Sequence, residues 1–119
     1  MFDGLWQYGD TAFWIMQAVI GAIFIVHAVP KLKNPAQVAS VYGAPSFVGT
    51  FHGALEIAAG VALIVSQFVE IAALVVALII VGAIYFKIFK WKMPFMAPAA
   101  TGWEFDLILL AAALVILTR

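Results

Sequence analysis

Between positions 53 and 86 the chain is almost unbroken in apolar residues, and a carboxylate, Glu56, stands near the start of the run. As one helix the run would measure roughly 50 Å, too long for a hydrocarbon core of about 30 Å. It must therefore turn. The only polar interruption is Ser66-Gln67-Phe68-Val69-Glu70, which contains neither Gly nor Pro. Of the 119 residues, 66% are hydrophobic and 10% charged. A soluble domain carries about a quarter of its residues as charges. A chain this apolar cannot cover itself with polar surface, and the expectation is a single integral membrane domain.

Four apolar segments follow, at about 11–29, 48–66, 69–89 and 103–118. The expected fold is all-α: an antiparallel bundle of four transmembrane helices. The connection from Pro30 to Phe47 carries a short-helix signal. Asn34 can cap, Pro35 suits the first helical position, Gln37 stands where a capping box needs it, and Gly43 can terminate. Val38, Val41 and Tyr42 would share one face, as in a helix lying in the membrane interface. Pro30 is expected to stop the first long helix near that point. The connection from Lys90 to Gly102, with Pro94 and Pro98, is expected to be irregular. Lys31 and Lys33 lie in the first connection, and Lys87, Lys90 and Lys92 flank the second. The positive-inside rule then puts both long loops in the cytoplasm and both termini outside.

Several functions are excluded early. With no cysteine, the chain can form no disulfide and supply no thiolate to a haem or an iron–sulfur cluster. Its formal net charge of zero gives no bulk attraction to nucleic acid. The first ten residues carry Asp3 and Asp10 but no Lys or Arg, so no cleaved leader is expected. No zinc-protease, phosphate-loop, nucleophile-elbow or dinucleotide motif is present. No metal site is expected; two histidines alone are a weak signal for haem.

The ionisable residues gather in one half of the expected topology. His27 and Lys31 end the first segment, His52 and Glu56 begin the second, Tyr85 and Lys87 close the third, and Glu104 and Asp106 open the fourth. His52 and Glu56 are one helical turn apart and share a face. Ala59 and Gly60 extend the surface around Glu56, and Gly49 and Gly53 form a GxxxG pair; such small residues let another helix approach. A bare carboxylate at this depth costs a few kcal/mol, on the order of 3. Glu56 must therefore be paired, protonated or hydrated, with Lys87 or His27 as expected structural partners and a ligand or proton site as the other reading. Lys87 can instead snorkel to the headgroups, and His52 can be solvated. Thr101 and Glu104 are spaced as a capping box. Asp106, about 200° further round the helix, cannot face the same way as Glu104. The four tryptophans fall near expected interfaces, as in an aromatic belt.

Four stretches taken together resemble the DoxX family of small bacterial and archaeal membrane proteins. They are GAIFIVHAVPKLKNP, YGAPSF, LEIAAGVALIV and GWEFDLILLAAALVIL. The turn SQFVE and the loop KIFKWKMPFMAPAA depart from the family pattern without touching the polar positions. The resemblance implies a four-helix fold in a cytoplasmic membrane and matches His27, Lys31, Glu56 and Glu104 to the family's polar positions. It also implies association with quinone-linked redox complexes, since the family name comes from a membrane thiosulfate:quinone oxidoreductase.

Three functions remain open on these residues. One is a redox-associated subunit with a bound quinone, electrons arriving from a soluble or membrane redox partner. His27, Lys31 and Lys87 would then donate to the headgroup, and Glu56 would relay protons. Another is a small-solute or lipid binding or transport protein, for which a homo-oligomer is expected. The third is a structural or assembly subunit in which the charges act as a clasp. Whether the chain is itself an enzyme stays open; the candidate ligand or proton-relay residues are His27, Lys31, Glu56, Lys87, Glu104 and Asp106.

Overall fold

The computed structural model describes residues 3–92 and 102–119, with the side chains of Asp3, Val38 and Val41 outside that description. The expected irregular loop with Pro94 and Pro98 lies outside the described residues. Among those described, the structure is helical and contains no strand. A 3-10 turn, Asp3–Tyr8, leads into α1, Gly9–Lys33; α2 is Pro35–Val41, α3 Ser46–Val65, α4 Val69–Tyr85 and α5 Trp103–Thr118. Three stretches among the described residues are long and apolar enough to cross a membrane: Gly4–Lys33, Ser46–Val65 and Val69–Lys90. With 16 residues, α5 measures about 24 Å, short of the ~30 Å core.

The chain divides into two compact units, 1–68 and 69–119. In the first, α1 packs on α3, and α2 packs on both. The buried stripe of α1 is Gln17, Ile20, Gly21, Phe24 and Ala28. That of α3 is Gly49, Gly53, Glu56, Ala59, Gly60 and Leu63, so Glu56 belongs to the packed face and not to the lipid face. Small residues set the helix separation. A Cβ built on Gly21 would sit 2.5 Å from the Gly60 carbonyl oxygen, and one on Gly60 would sit 2.6 Å from the Gly21 oxygen. Backbone meets backbone at that crossing, and only glycine leaves the room.

Pro30 does not stop α1. The helix runs one turn further, to Lys33, and the Asn34 N–H closes it on the Pro30 carbonyl at 2.9 Å. Proline removes one donor, but its own φ suits a helix. The added turn also packs on α3, because a Cβ on Gly53 would lie 3.1 Å from both Lys31 Cβ and Leu32 Cγ. Asn34 precedes α2 as its cap residue without a side-chain capping bond. The expected pairing with Gln37 is therefore not made; Pro35 starts the helix and Gly43, at φ +67°, follows its end.

The C-terminal end of α3 is capped from α1. The Gln17 amide, buried, donates to the Leu63 carbonyl at 2.6 Å and to Ser66 Oγ at 3.0 Å, and the Trp14 indole donates to the Ile64 carbonyl at 3.1 Å. The Gln67 N–H returns to the Ala62 carbonyl at 3.0 Å. Carbonyls in the last turn of a helix have no partner within it; here two neighbouring side chains and the turn supply them. The turn itself uses left-handed Ser66 and Phe68, at φ 58° and 55°, in place of glycine.

In the second unit α4 packs on α5. Each carries a buried stripe at helical spacing: Ala73, Val76, Ala77 and Ile80 on one, Leu109, Ala113 and Ile116 on the other. After Tyr85 the helix widens to a π turn over Phe86–Lys90, closed by the Trp91 N–H on the Phe86 carbonyl at 2.8 Å.

Candidate functional site

Glu56 is 1% exposed, on a helix able to cross a membrane, and its partners are Lys31 and His52. Lys31 comes from the turn of α1 beyond Pro30, and its ammonium donates to Glu56 Oε1. His52 comes from α3 itself, one turn before Glu56, with Nε2 at 3.3 Å from the same oxygen. Within the first unit the partner expected from the sequence, His27, is not the one found. Lys31 takes that place because the helix continues through the proline, and His52 because the i, i+4 spacing puts it on the same face.

The exposures are graded. Glu56 is sealed, Lys31 is 15% exposed and His52 28%. A proton on His52 is thus nearer the outside of the unit than one on Glu56, and Lys31 and His52 both contact Glu56 Oε1. An acid, a base and a cation in contact within an apolar unit form a constellation able to hold or pass a proton. It suits a polar headgroup as well: Lys31 can donate, Glu56 can accept, and His52 can do either according to its tautomer.

The other candidates lie elsewhere. His27 is exposed on α1, and its Nδ1 stands 2.9 Å from the Ile23 carbonyl one turn back, so the ring proton is placed on Nδ1. Lys87, in the π turn, has Nζ 2.6 Å from Asp106 Oδ2 within the second unit. That oxygen has no hydrogen-bond partner among the described residues, so its compensation by Lys87 is coulombic. Asp106 is buried while Glu104 is partly exposed, consistent with the angle between them. Gly102 precedes the first helical residue, which leaves Glu104 in the first turn beside the positive end of the helix dipole. Thr101, the other half of the expected capping box, lies outside the described residues.

Sequence reasoning undervalued His52 and missed the capping role of Gln17. The signal for His52 was its turn spacing from Glu56. For Gln17 there was no signal beyond an amide in an apolar helix, because its acceptor lies 46 positions away.

A family model described as DoxX matches residues 14–91, a stretch that includes Lys31, His52, Glu56 and Lys87. A curated relative from Bacillus subtilis (strain 168), named "Putative oxidoreductase CatD", is 31% identical over 103 residues, covering 84% of this chain and 72% of its own length. No solved structure matches the chain.

Proposed function

The chain belongs to the DoxX family of membrane proteins, and from that premise we propose that it is a redox-associated membrane subunit whose Lys31–Glu56–His52 cluster receives the headgroup of a quinone-like lipid. The observation that carries this reading is the sealed carboxylate. Glu56 is buried on a membrane-crossing helix, and its single charge meets two groups that can exchange protons or donate hydrogen bonds. The relative's name, an oxidoreductase, points the same way.

The residues present fit such a headgroup. When bound, a quinone supplies a two-electron, two-proton couple, its electrons coming from the redox centre of a partner protein. Lys31 keeps two ammonium hydrogens beyond the one given to Glu56 and can donate to a headgroup oxygen. Glu56 holds a proton or yields it, and His52, the most exposed of the three, exchanges protons with the aqueous side. Packed helices with small residues at their crossing exclude water from Glu56.

The same reading includes a fourth membrane crossing by α5, both lysine-bearing loops in the cytoplasm where a soluble redox partner can dock, and both termini outside. Mass spectrometry of small molecules retained by the protein in mild detergent tests it. A stoichiometric quinone in the parent, lost in a folded Glu56→Gln variant, is expected. Retention of the quinone in that variant, or a folded parent with no quinone, sinks the assignment.

One observation favours a second reading: Lys31 already neutralises Glu56 in the structure. A clasp that only joins α1 to α3 needs no more than that. In that case a Glu56→Gln, Lys31→Met double variant keeps both fold and activity of the complex, whereas the quinone reading requires that activity be lost.

A further inference from the structure

Three rungs on one face of α3 are covered by the same short stretch of chain. Lys31 reaches Glu56 Oε1. One turn nearer the start of α3, a Cβ built on Gly53 would lie 3.1 Å from both Lys31 Cβ and Leu32 Cγ. One turn earlier again, a Cβ on Gly49 would lie 3.0 Å from Pro35 Cα. Positions 49, 53 and 56 share a helical face. The stretch from Lys31 to Pro35 therefore runs along that face toward the start of α3, and α2 continues it with Ala39 buried.

The two ends of the α1–α3 pair are held by different means. At one end are the Gly21–Gly60 crossing and the hydrogen bonds from Gln17 and Trp14, none of which depends on a charge. At the other end is the Lys31–Glu56 ion pair. The covering stretch is also weakly tied at both of its own ends. Pro30 has no N–H, so α1 lacks the bond that would reach the Val26 carbonyl. Gly43, after α2, sits at φ +67°. Helices bend at such prolines. Since α2 carries no ionisable residue, the charged and titratable groups facing Glu56 among the described residues are Lys31 from α1 and His52 from α3.

We propose that residues 31–41 form a hinged cover over Glu56, latched by the Lys31–Glu56 pair and released on Pro30 when Glu56 takes up a proton. While Glu56 is ionised it compensates the mostly buried ammonium of Lys31. Once protonated it offers no charge, and the ammonium is left uncompensated where it lies. The flexible lysine stem carries it to water, and the turn beyond Pro30 moves with it. His52, more exposed and 3.3 Å from Oε1, is the group through which the proton arrives. It passes from the imidazolium to the carboxylate, and water protonates the neutral ring again. Loss of the proton from Glu56 restores the charge and closes the cover. The sealed carboxylate thus meets the aqueous side only in its neutral form. This goes beyond the quinone reading, because it holds whatever polar group reaches Glu56.

Hydrogen–deuterium exchange of the full chain in detergent, resolved by peptide and without added ligand, tests the cover. Glu56→Gln mimics the protonated acid. It is expected to speed exchange of residues 31–42 by about ten-fold or more, the scale of one lost hydrogen bond to a charged group. Residues 60–65, at the other end of the pair, should keep wild-type rates. Pro30→Ala restores the missing donor and stiffens the hinge, so it is expected to slow exchange of residues 31–42 in either background. The wild-type chain gives a reading that no folding defect can spoil. Acidification, after correction for intrinsic exchange rates, should speed residues 31–42 more than residues 60–65. Unchanged exchange of residues 31–42 in folded Glu56→Gln, or on acidification of the wild type, overturns the latch. A rise shared equally by residues 60–65 also overturns it, since the pair then only holds α1 and α3 together as a whole. Exchange unaffected by Pro30→Ala overturns the hinge.

Discussion

At Glu56 the governing balance is between desolvation and pairing. Breaking a buried pair by removing one partner is costly because it strands a charge, whereas removing both can be nearly neutral. Lys31→Met is therefore expected to destabilise the protein by about 3 kcal/mol toward unfolding in a denaturing detergent titration. Adding Glu56→Gln to that variant should restore much of the loss, so the double variant is more stable than the single. Equal stability of parent and Lys31→Met would show that Lys31 contributes nothing to holding the carboxylate. His52 is farther from Oε1 and more exposed than Lys31. His52→Gln is accordingly expected to cost less than Lys31→Met in the same titration, on the order of 1 kcal/mol or below. The sequence placed Glu56 among small residues on a packing face, which is where the structure has it. It did not reveal the partner. That depended on whether α1 ended at Pro30, and one turn of helix decides which cation reaches the carboxylate.

Between elements, α1 and α3 are joined by a backbone crossing at Gly21 and Gly60 and by the caps from Gln17 and Trp14. A methyl group at Gly60 meets the Gly21 carbonyl and Ile25 Cγ1, 2.8 Å away, so the helices must part. Gly60→Ala is expected to cost about 1–3 kcal/mol, the range for overpacking. Gly82→Ala is the control, since nothing lies within 4 Å of its added methyl; it should be neutral or stabilising by up to about 1 kcal/mol. A Gly60→Ala variant as stable as Gly82→Ala, read by the same detergent titration, would place the close approach elsewhere. Gln17→Leu leaves the Leu63 carbonyl in an apolar setting without its donor. A loss of about 1 kcal/mol is expected, together with faster amide hydrogen exchange in the last turn of α3. Helical class was readable from the apolar runs, and a turn near Ser66 from the one polar interruption. The capping of α3 was not, because it joins residues far apart in sequence and gives no periodic signal. The π turn after Tyr85 was hidden for a different reason: FKIFK is as compatible with an ordinary α-helical end, and hydropathy does not distinguish five residues per hydrogen-bonded step from four.

Across the whole chain, membrane residence follows from three apolar helices, among the described residues, long enough to span, but orientation depends on five lysines, two in the last turn of α1 and three in and just after the π turn that follows α4. The bias is one-sided enough to commit to an outcome. The absence of cysteine makes single-cysteine variants clean reporters. Asn34→Cys, between α1 and α2, is expected to react with a membrane-impermeant maleimide only when the cytoplasmic face is open to the reagent. Gln67→Cys, in the turn before α4, is expected to react from the opposite face, because α3 lies between the two positions. Arg119→Cys then decides whether α5 crosses. If α4 and α5 both cross, position 119 returns to the face of position 67 and both react from outside. If α5 stays on one face as a 16-residue interfacial helix, position 119 reacts from the side of position 34. Length alone favours the second outcome: about 24 Å of helix is short of the hydrocarbon core. Burial and composition favour the first. Leu109, Ala113 and Ile116 are buried, while Leu107, Ile108, Leu114 and Val115 are exposed apolar residues. The described part of α5 after Asp106 carries no charge before Arg119. An interfacial helix needs a polar face to lie against headgroups, and from Leu107 to Leu117 this helix has none. A shorter span is accommodated by local thinning at a fraction of a kcal/mol per Å, which costs less than leaving an apolar surface in water. Labelling of position 119 from the same face as position 67 is therefore the expected result.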